Sequence, residues 1–219
     1  MTEFKIPLIW ELAPEFNSNS TKWVINFPND YKWRWTVLFS HPADFTPVCT
    51  TEFVAFQEKK AEFDKRWVSL IWYSVDWIQS HIAWVNNIKE KFWVKIEFPI
   101  VADMSIAYKY WMLHPTADSN HTVRAVFIID PNWKIAALMY YPLSNWRNID
   151  EILRLLDSLQ MTANHSRATP ANWPNNSIFN DRVIIPPAAN LEQMEKNLTQ
   201  YECKDWYICT QENPTKKAT

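Results

Sequence analysis

Cys49 stands in a local sequence pattern that activates a thiol. The apolar, β-branched run Trp35–Ser40 predicts a buried strand, and a helix is predicted to begin near Thr46. Thr46 suits the N-cap and Pro47 the first helical position. Cys49 then lies in the first turn, where unpaired backbone N–H groups and the helix dipole stabilise a thiolate. We therefore predict a nucleophile; the alternative is an inert buried thiol, the common state of a free cysteine.

Strand and helix patterns alternate along the chain up to about residue 162. Helices are predicted from apolar side chains at helical spacing in three segments: Thr51–Arg66, the stripe Ile78, Ile82, Val85, Ile88 and Phe92, and Asn148–Met161. Further strands are predicted over Val68–Ser74 and over the pair Val123–Ile129 and Ile135–Tyr140, joined by a turn at 130–133. This alternation is typical of an α/β layered fold.

The composition changes after Met161. Residues 164–180 are rich in Asn, Pro, Ser and Thr, which is typical of a connector. A short strand at Val183–Ile185 and a short helix near Asn190–Leu198 follow it. We therefore predict two domains: residues 1–162 form the α/β domain, and residues 163–219 form a smaller α+β domain that ends in a cysteine-bearing tail.

Charge and cysteine content exclude several classes of protein. The 22 basic and 24 acidic residues give a formal net charge of −2, so no basic excess points to nucleic acid or an anionic membrane surface. No apolar run approaches the roughly twenty residues of a membrane span. Three cysteines in 219 residues do not form a secreted disulfide scaffold. These features predict a cytoplasmic protein with reduced thiols.

The chain has no glycine and 14 tryptophans. Without glycine it cannot carry the P-loop, the dinucleotide fingerprint or the nucleophile elbow. Several tryptophans directly follow amphipathic patterns, where helices usually end on a glycine with positive φ. We predict that ten of them occupy such glycine-like positions: Trp10, Trp23, Trp33, Trp67, Trp72, Trp77, Trp93, Trp111, Trp133 and Trp146.

The segment HPADFTPVCTTE, residues 41–52, resembles the active-site motif of peroxiredoxins of the one-cysteine, Prx6-like branch. The likeness continues in the segment Val123–Pro131, in Asn145-x-Arg-Asn148, and in the later segments 168–173 and 183–187. It therefore covers nearly the whole chain. The resemblance implies a thioredoxin-like core with a smaller C-terminal domain, and a thiol-dependent peroxidase.

The resemblance also implies a role for each matching residue. Cys49 would attack a peroxide and become a sulfenic acid. Thr46 and Arg124 would hold the peroxide, and Pro42 would shield the product from solvent. Supporting positions in the match are His41, which lines the pocket, and the pair Glu52 and Arg147, which orients the other groups.

The tail carries a second pair of thiols. The spacing Cys203-x5-Cys209 resembles the C-terminal cysteine pair of archaeal-type members of this branch. By that likeness Cys209 would resolve the sulfenic acid of a neighbouring subunit, Cys203 would be auxiliary, and an external dithiol would reduce the disulfide. The alternative is two incidental thiols in a mobile tail. The spacing is not a zinc signature.

The predicted function is thus reduction of hydrogen peroxide and alkyl hydroperoxides, an antioxidant activity, with a thioredoxin-like or other dithiol as reductant. No metal or organic cofactor is implied. We expect a homodimer formed through the second domain, with a decamer as the larger assembly. Three alternatives stay open: a strictly one-cysteine cycle recycled by a small thiol, a non-catalytic chaperone or scaffold, and a glycine-free variant without activity.

Overall fold

The computed structural model describes residues 5–114, 116–117 and 120–216, and the chain divides into two compact units, Met1–Ile149 and Asp150–Thr219. The first unit contains strands β1 to β7 and helices α1 to α4, in the order β1 (Phe16–Ser18), β2 (Ile25–Phe27), β3 (Trp35–Ser40), α1 (Pro47–Glu58), α2 (Lys60–Lys65), β4 (Val68–Ser74), α3 (Ile78–Phe92), β5 (Ile100–Ala102), α4 (Met104–Lys109), β6 (Arg124–Ile129) and β7 (Ile135–Tyr141). A 3₁₀ turn at Asn29–Tyr31 follows β2.

A five-stranded mixed sheet forms the centre of the first unit, in the order β5-β4-β3-β6-β7. The β3–β4 and β4–β5 pairs are parallel, whereas β3–β6 and β6–β7 are antiparallel. Every residue of β3 and β6 is buried, as expected for central strands covered on both faces. The antiparallel register pairs Phe39 with Val126, so the end of β3 lies beside the beginning of β6.

The two faces of this sheet carry different cores. One face contributes Leu38, Ile71 and Phe127 to a cluster with the β1–β2 hairpin and α4. On the other face, Trp72 packs against Phe53 of α1, with ring centroids 3.7 Å apart. This aromatic face attaches α1 firmly to the sheet, and α1 carries Cys49.

The second unit contains α5 (Ile149–His165) except its first residue, and then β8 (Val183–Ile184), α6 (Leu191–Gln200), β9 (Glu202–Asp205) and β10 (Ile208–Gln211). Its three strands form an antiparallel sheet in the order β8-β10-β9. Met161, Trp173 and Val183 form its core cluster. The two-domain division predicted at residue 162 stays a prediction.

The α/β class is confirmed, and the strands Trp35–Ser40 and Val68–Ser74 have the predicted bounds. The predicted helix Thr51–Arg66 is instead two helices, because α1 ends at Glu58 and α2 begins at Lys60. The next helix forms where it was predicted, but of its predicted apolar stripe only Ile88 is fully buried. In α3 the buried residues are His81, Trp84 and Ile88, while Ile82 and Phe92 are exposed.

No helix among the described residues is both long enough and apolar enough to cross a membrane.

Six of the ten tryptophans predicted at glycine-like positions have positive φ, which confirms the prediction for Trp10, Trp33, Trp67, Trp93, Trp111 and Trp133. Trp93, for example, ends α3 with φ 57° and ψ 25°. A Cβ in this left-handed region costs about 1–2 kcal/mol. The other four, Trp23, Trp72, Trp77 and Trp146, do not have positive φ; Trp72 lies inside β4.

The backbone strain at Trp93 can be measured by comparing two substitutions at that position. Trp93→Gly and Trp93→Ala both remove an indole that is 86% exposed, but only glycine adopts positive φ without a steric penalty. We expect the glycine variant to have a free energy of unfolding about 1 kcal/mol higher than the alanine variant, measured by denaturant unfolding.

The same pair of substitutions at Trp23, which is exposed and lacks positive φ, is the control. There glycine should be no more stable than alanine, because glycine gains freedom in the unfolded chain. Equal free energies of unfolding for Trp93→Gly and Trp93→Ala would show that the backbone at position 93 is not strained.

Candidate active site

The segment between β3 and α1 places Cys49 just beyond the end of β3, the middle strand of the central sheet. Helix α1 begins at Pro47 with Thr46 as its extended N-cap residue, as predicted. The Thr46 hydroxyl does not cap the helix, however; it donates to the carbonyl of Ala43 at 3.0 Å. Cys49 therefore lies in the first turn of α1, and its side chain is fully buried.

Arg124 is the cation next to the Cys49 sulfur. Its Nη1 lies 3.3 Å from Cys49 Sγ and 2.8 Å from Glu52 Oε2, while its Nε donates to the Leu143 carbonyl at 2.9 Å. Arg124 reaches the sulfur because it begins β6, directly beside the end of β3. The Ser40 hydroxyl joins the two strand ends, since it donates to the Val123 carbonyl at 2.6 Å.

Glu52 joins Arg124 to a second guanidinium, that of Arg147. Arg147 donates to both carboxylate oxygens of Glu52, from Nε at 2.9 Å and from Nη2 at 2.5 Å, and its backbone N–H donates at 3.0 Å. Its Nη1 donates to the carbonyls of Ser40 and Ala125. The Arg147 guanidinium also lies over the ring of Trp72, 5.3 Å from the centroid. Together these contacts fix the orientation of the Arg147 guanidinium.

The side chains of this buried cluster leave one positive charge uncompensated. Glu52, Arg124 and Arg147 are each only 3% exposed, so their charges are poorly solvated. Two guanidinium groups and one carboxylate leave one positive charge, and the group that Arg124 contacts with the same Nη1 is Cys49 Sγ. A thiolate at that position gives the cluster a net charge of zero.

Burial alone would raise the pKa of Glu52, but the Arg147 charge and hydrogen bonds, with Arg124 beside them, hold that pKa below its ordinary value. Glu52 is thus ionised throughout the neutral range and keeps both cations in place.

Thr46 and Pro42, the other residues predicted around the sulfur, are half-buried and lie in the segment that precedes α1. Because the Thr46 hydroxyl donates its proton to the Ala43 carbonyl, the lone pairs of its oxygen are available to accept a hydrogen bond. Phe45, next to Thr46, has φ 53°, a left-handed conformation that is unusual for an aromatic residue.

His41 is fully buried, and both ring nitrogens have partners inside the protein. Trp72 Nε1 donates to His41 Nδ1 at 2.6 Å, and His41 Nε2 lies 2.8 Å from Asp44 Oδ1. The other Asp44 oxygen lies 2.7 Å from His81 Nδ1. Burial lowers the pKa of His41, although Asp44 opposes this shift. His41 therefore has no free nitrogen for a ligand in this arrangement.

Sequence reasoning missed Asp44 and His81. The usable signal was His81 itself, a polar residue that comes three positions before Trp84 in an amphipathic helix.

The same network contains the one metal-like grouping found among the described residues. Ligand atoms of His41, Asp44 and Asp76 lie within 4.8 Å of one another. These atoms already have hydrogen bonds: Asp76 Oδ2 accepts from the Asp44 backbone N–H and from the Ser74 hydroxyl. A cation would have to displace these bonds, so the grouping fits a hydrogen-bond network better than a metal centre.

The two tail cysteines lie in the second unit, where Cys203 on β9 pairs with Cys209 on β10 and the two form a disulfide with an S–S distance of 2.05 Å. Cys203 is half-buried and Cys209 is buried. The aromatic residues of the hairpin turn, Trp206 and Tyr207, are exposed.

Comparison with known proteins identifies the family of the chain. Residues 9–138 match the AhpC/TSA family, and residues 158–200 match the C-terminal domain of 1-Cys peroxiredoxin. A peroxiredoxin of Aquifex aeolicus is 51% identical over 218 residues, covering 95% of this chain and 98% of the relative. A peroxiredoxin of Ignicoccus hospitalis is 52% identical over 212 residues, covering 96% of this chain and 90% of the relative.

Two solved structures are also similar. A yeast mitochondrial 1-Cys peroxiredoxin superposes with a TM-score of 0.82 at 40% identity, covering 94% of this chain and 99% of the other. A cysteine-to-serine mutant of peroxiredoxin 6 from Arenicola marina gives a TM-score of 0.83 at 34% identity, covering 95% of this chain and 99% of the other. The thioredoxin-like fold is therefore confirmed. The chain belongs to the peroxiredoxin family, and it is a thiol peroxidase.

Glu52→Gln is expected to destabilise the fold, because it leaves Arg124 and Arg147 buried without a counter-charge. Removing one partner of a buried pair costs about 3–5 kcal/mol. The pKa of Glu52 is lowered in the folded state, so ionised Glu52 stabilises the fold fully at pH values above the ordinary glutamate pKa of about 4.3. This stabilisation is lost as the pH falls through the pKa that Glu52 has in the folded state. Urea unfolding of the wild type and of Glu52→Gln from pH 7 down to pH 3 measures the difference between their free energies of unfolding.

Glu62→Gln is the matched control. Glu62 also contacts two cations, Lys65 and Arg66, but on an exposed surface. Its replacement should change the unfolding free energy little. A stability difference between Glu52→Gln and the wild type that does not shrink in acid would contradict the ionised cluster.

Proposed function

We propose that Cys49 is the peroxide-reducing nucleophile and that Arg124 holds both the thiolate and the peroxide. The observation that carries this proposal is the contact of Arg124 Nη1 with Cys49 Sγ at 3.3 Å, inside a buried cluster that lacks one negative charge. The Cys49 thiolate attacks the terminal oxygen of a hydroperoxide. An S–O bond forms, the O–O bond breaks, and the leaving alkoxide or hydroxide takes a proton from solvent.

The neighbouring residues support this step in distinct ways. Thr46 accepts a hydrogen bond from the peroxide O–H, since its own proton is held by Ala43. The Arg124 guanidinium stabilises the negative charge as it moves from sulfur to the leaving oxygen. Pro42 shields the sulfenic acid, and Glu52 with Arg147 orients Arg124. His41 lines the site through its ring and does not serve as a base.

We further infer that Cys209 of a neighbouring subunit resolves the sulfenic acid. Its thiol attacks the Cys49 sulfur, an S–S bond forms and water leaves. Cys203, paired with Cys209 across the hairpin, then attacks Cys209 and releases Cys49 as a thiolate. The auxiliary role of Cys203 is thus to collect the oxidising equivalents in the Cys203–Cys209 disulfide.

An external dithiol of the thioredoxin type would reduce this disulfide. The similar yeast protein is described with a thiol resolving mechanism via glutathione/thioredoxin systems, which supports a reductant of this kind. A resolving cysteine from another copy requires a homodimer, for which we propose the C-terminal domain as the interface, within a decamer. A cytoplasmic location fits the thiols that this cycle must keep reduced.

Replacing the nucleophile tests the proposed reaction. Cys49→Ser should reduce peroxide consumption to the background rate, because serine has no thiolate. In the Cys203→Ser, Cys209→Ser double variant, the first oxidation of Cys49 should proceed at the wild-type rate, because the tail acts only afterwards. Single-turnover oxidation by hydrogen peroxide and by tert-butyl hydroperoxide measures the rate for Cys49→Ser and for the double variant. Turnover by Cys49→Ser would contradict the proposal and favour a role without catalysis at this thiol.

The resolving cycle is tested by non-reducing electrophoresis after one equivalent of peroxide. We expect a disulfide-linked dimer that disappears in Cys209→Ser and accumulates in Cys203→Ser, because only Cys203 can release Cys49. If no variant forms the dimer and a small thiol alone sustains turnover, the one-cysteine cycle is correct instead. Cys49→Ser serves as the blank, since it cannot form the sulfenic acid.

A further inference from the structure

Helix α3 makes several contacts with the residues around Cys49, although it contributes no predicted active-site residue. His81 Nδ1 lies 2.7 Å from Asp44 Oδ2. Trp84, one turn later, packs near the Phe45 ring with centroids 6.3 Å apart. Its indole N–H donates to the Thr50 hydroxyl at 3.3 Å. These contacts explain why His81 and Trp84 join Ile88 of the predicted stripe on the buried face of α3.

The hydrogen-bond partners fix the proton positions in the buried network. An indole N–H can only donate, so Trp72 requires His41 Nδ1 to be an acceptor. The His41 proton is therefore on Nε2, which donates to Asp44 Oδ1. The second Asp44 oxygen accepts in turn, so His81 carries its proton on Nδ1 and donates it. His81 Nε2 is buried and has no hydrogen-bond partner among the described residues.

The segment that this network holds is conformationally strained. Between Asp44 and Thr46, Phe45 adopts φ 53°, and the residue is 54% exposed. Side-chain burial at Phe45 therefore does little to offset the strain, and the neighbouring residues must hold the segment in place. The Asp44 backbone N–H donates to Asp76 Oδ2 at 2.9 Å, and the Asp44 carboxylate contacts the two histidines.

We propose that His81 is a positioning residue of the peroxidase: its Nδ1–H holds the Asp44 carboxylate and thereby fixes the strained segment that presents Thr46 and begins the helix of Cys49. Without this donor, one buried carboxylate oxygen of Asp44 loses its partner. The segment then relaxes away from the conformation that binds peroxide. This inference rests on the proposed reaction at Cys49, whose geometry it completes.

Two substitutions of similar polarity separate positioning from general packing. Asparagine places its amide N–H where histidine has Nδ1, whereas glutamine places it where histidine has Nε2. We expect His81→Gln to lower the second-order rate constant for Cys49 oxidation by hydrogen peroxide about tenfold, equivalent to about 1.4 kcal/mol. His81→Asn should stay within about a factor of two of the wild type. Both are measured in the Cys203→Ser, Cys209→Ser background, together with their thermal midpoints.

Hydrogen exchange provides a readout that does not depend on turnover. Peptides that contain Asp44 should exchange faster in His81→Gln than in the wild type, and at the wild-type rate in His81→Asn. Equal rate constants and equal exchange in the two variants would overturn the positioning role, as would a loss in both that follows their thermal midpoints. If Cys49→Ser still consumes peroxide, the proposed reaction fails, whereas the exchange comparison still decides the role of His81.

Discussion

The Glu52 carboxylate determines the electrostatics of the whole site. It accepts hydrogen bonds from two guanidinium groups that are almost completely buried, and such a cluster is tolerable only if its charges and donors are satisfied. Arg147 uses its remaining donor on strand carbonyls, and Arg124 has one contact left for the sulfur. The same carboxylate thus orients Arg124 and leaves one positive charge uncompensated beside the Cys49 sulfur.

The strands and helices place these groups through simple topology. The antiparallel pairing of β3 and β6 brings Arg124 beside the end of β3, from which the chain leads to α1 and Cys49. Aromatic packing of Phe53 on Trp72 holds α1 against the sheet. The segment between β3 and α1 cannot be held by regular structure, so it depends on side chains of α3 and on Asp76.

Sequence patterns predicted the catalytic segment well because its local signals were strong. The buried strand at Trp35–Ser40, the start of α1 and the glycine-like positions of six tryptophans all depend on neighbours within a few residues. The roles of Glu52, Arg124 and Arg147 came from family resemblance, since residues 72 and 95 positions apart carry no local signal of contact.

The failures also have physical causes. In α3, Ile88 of the predicted stripe is buried, but Ile82 and Phe92 are exposed, because the hydrogen bond of His81 to Asp44 and the packing of Trp84 turn the buried face toward His81 and Trp84. The break between α1 and α2 and the short strand β5 have no strong sequence marker. Asp44 and His81 were missed because each becomes meaningful only when the fold joins them.

The tryptophans with positive φ bear on how the thermal stability of this protein can be adjusted. Trp33 and Trp133 line one cavity, but others follow different elements, such as α2 for Trp67 and α3 for Trp93, so replacing them would relieve strain at separate places. Free-energy changes at independent, separated sites combine nearly additively. The chain therefore offers a graded set of changes by which resistance to heat could be raised stepwise while the chemistry at sulfur stays the same.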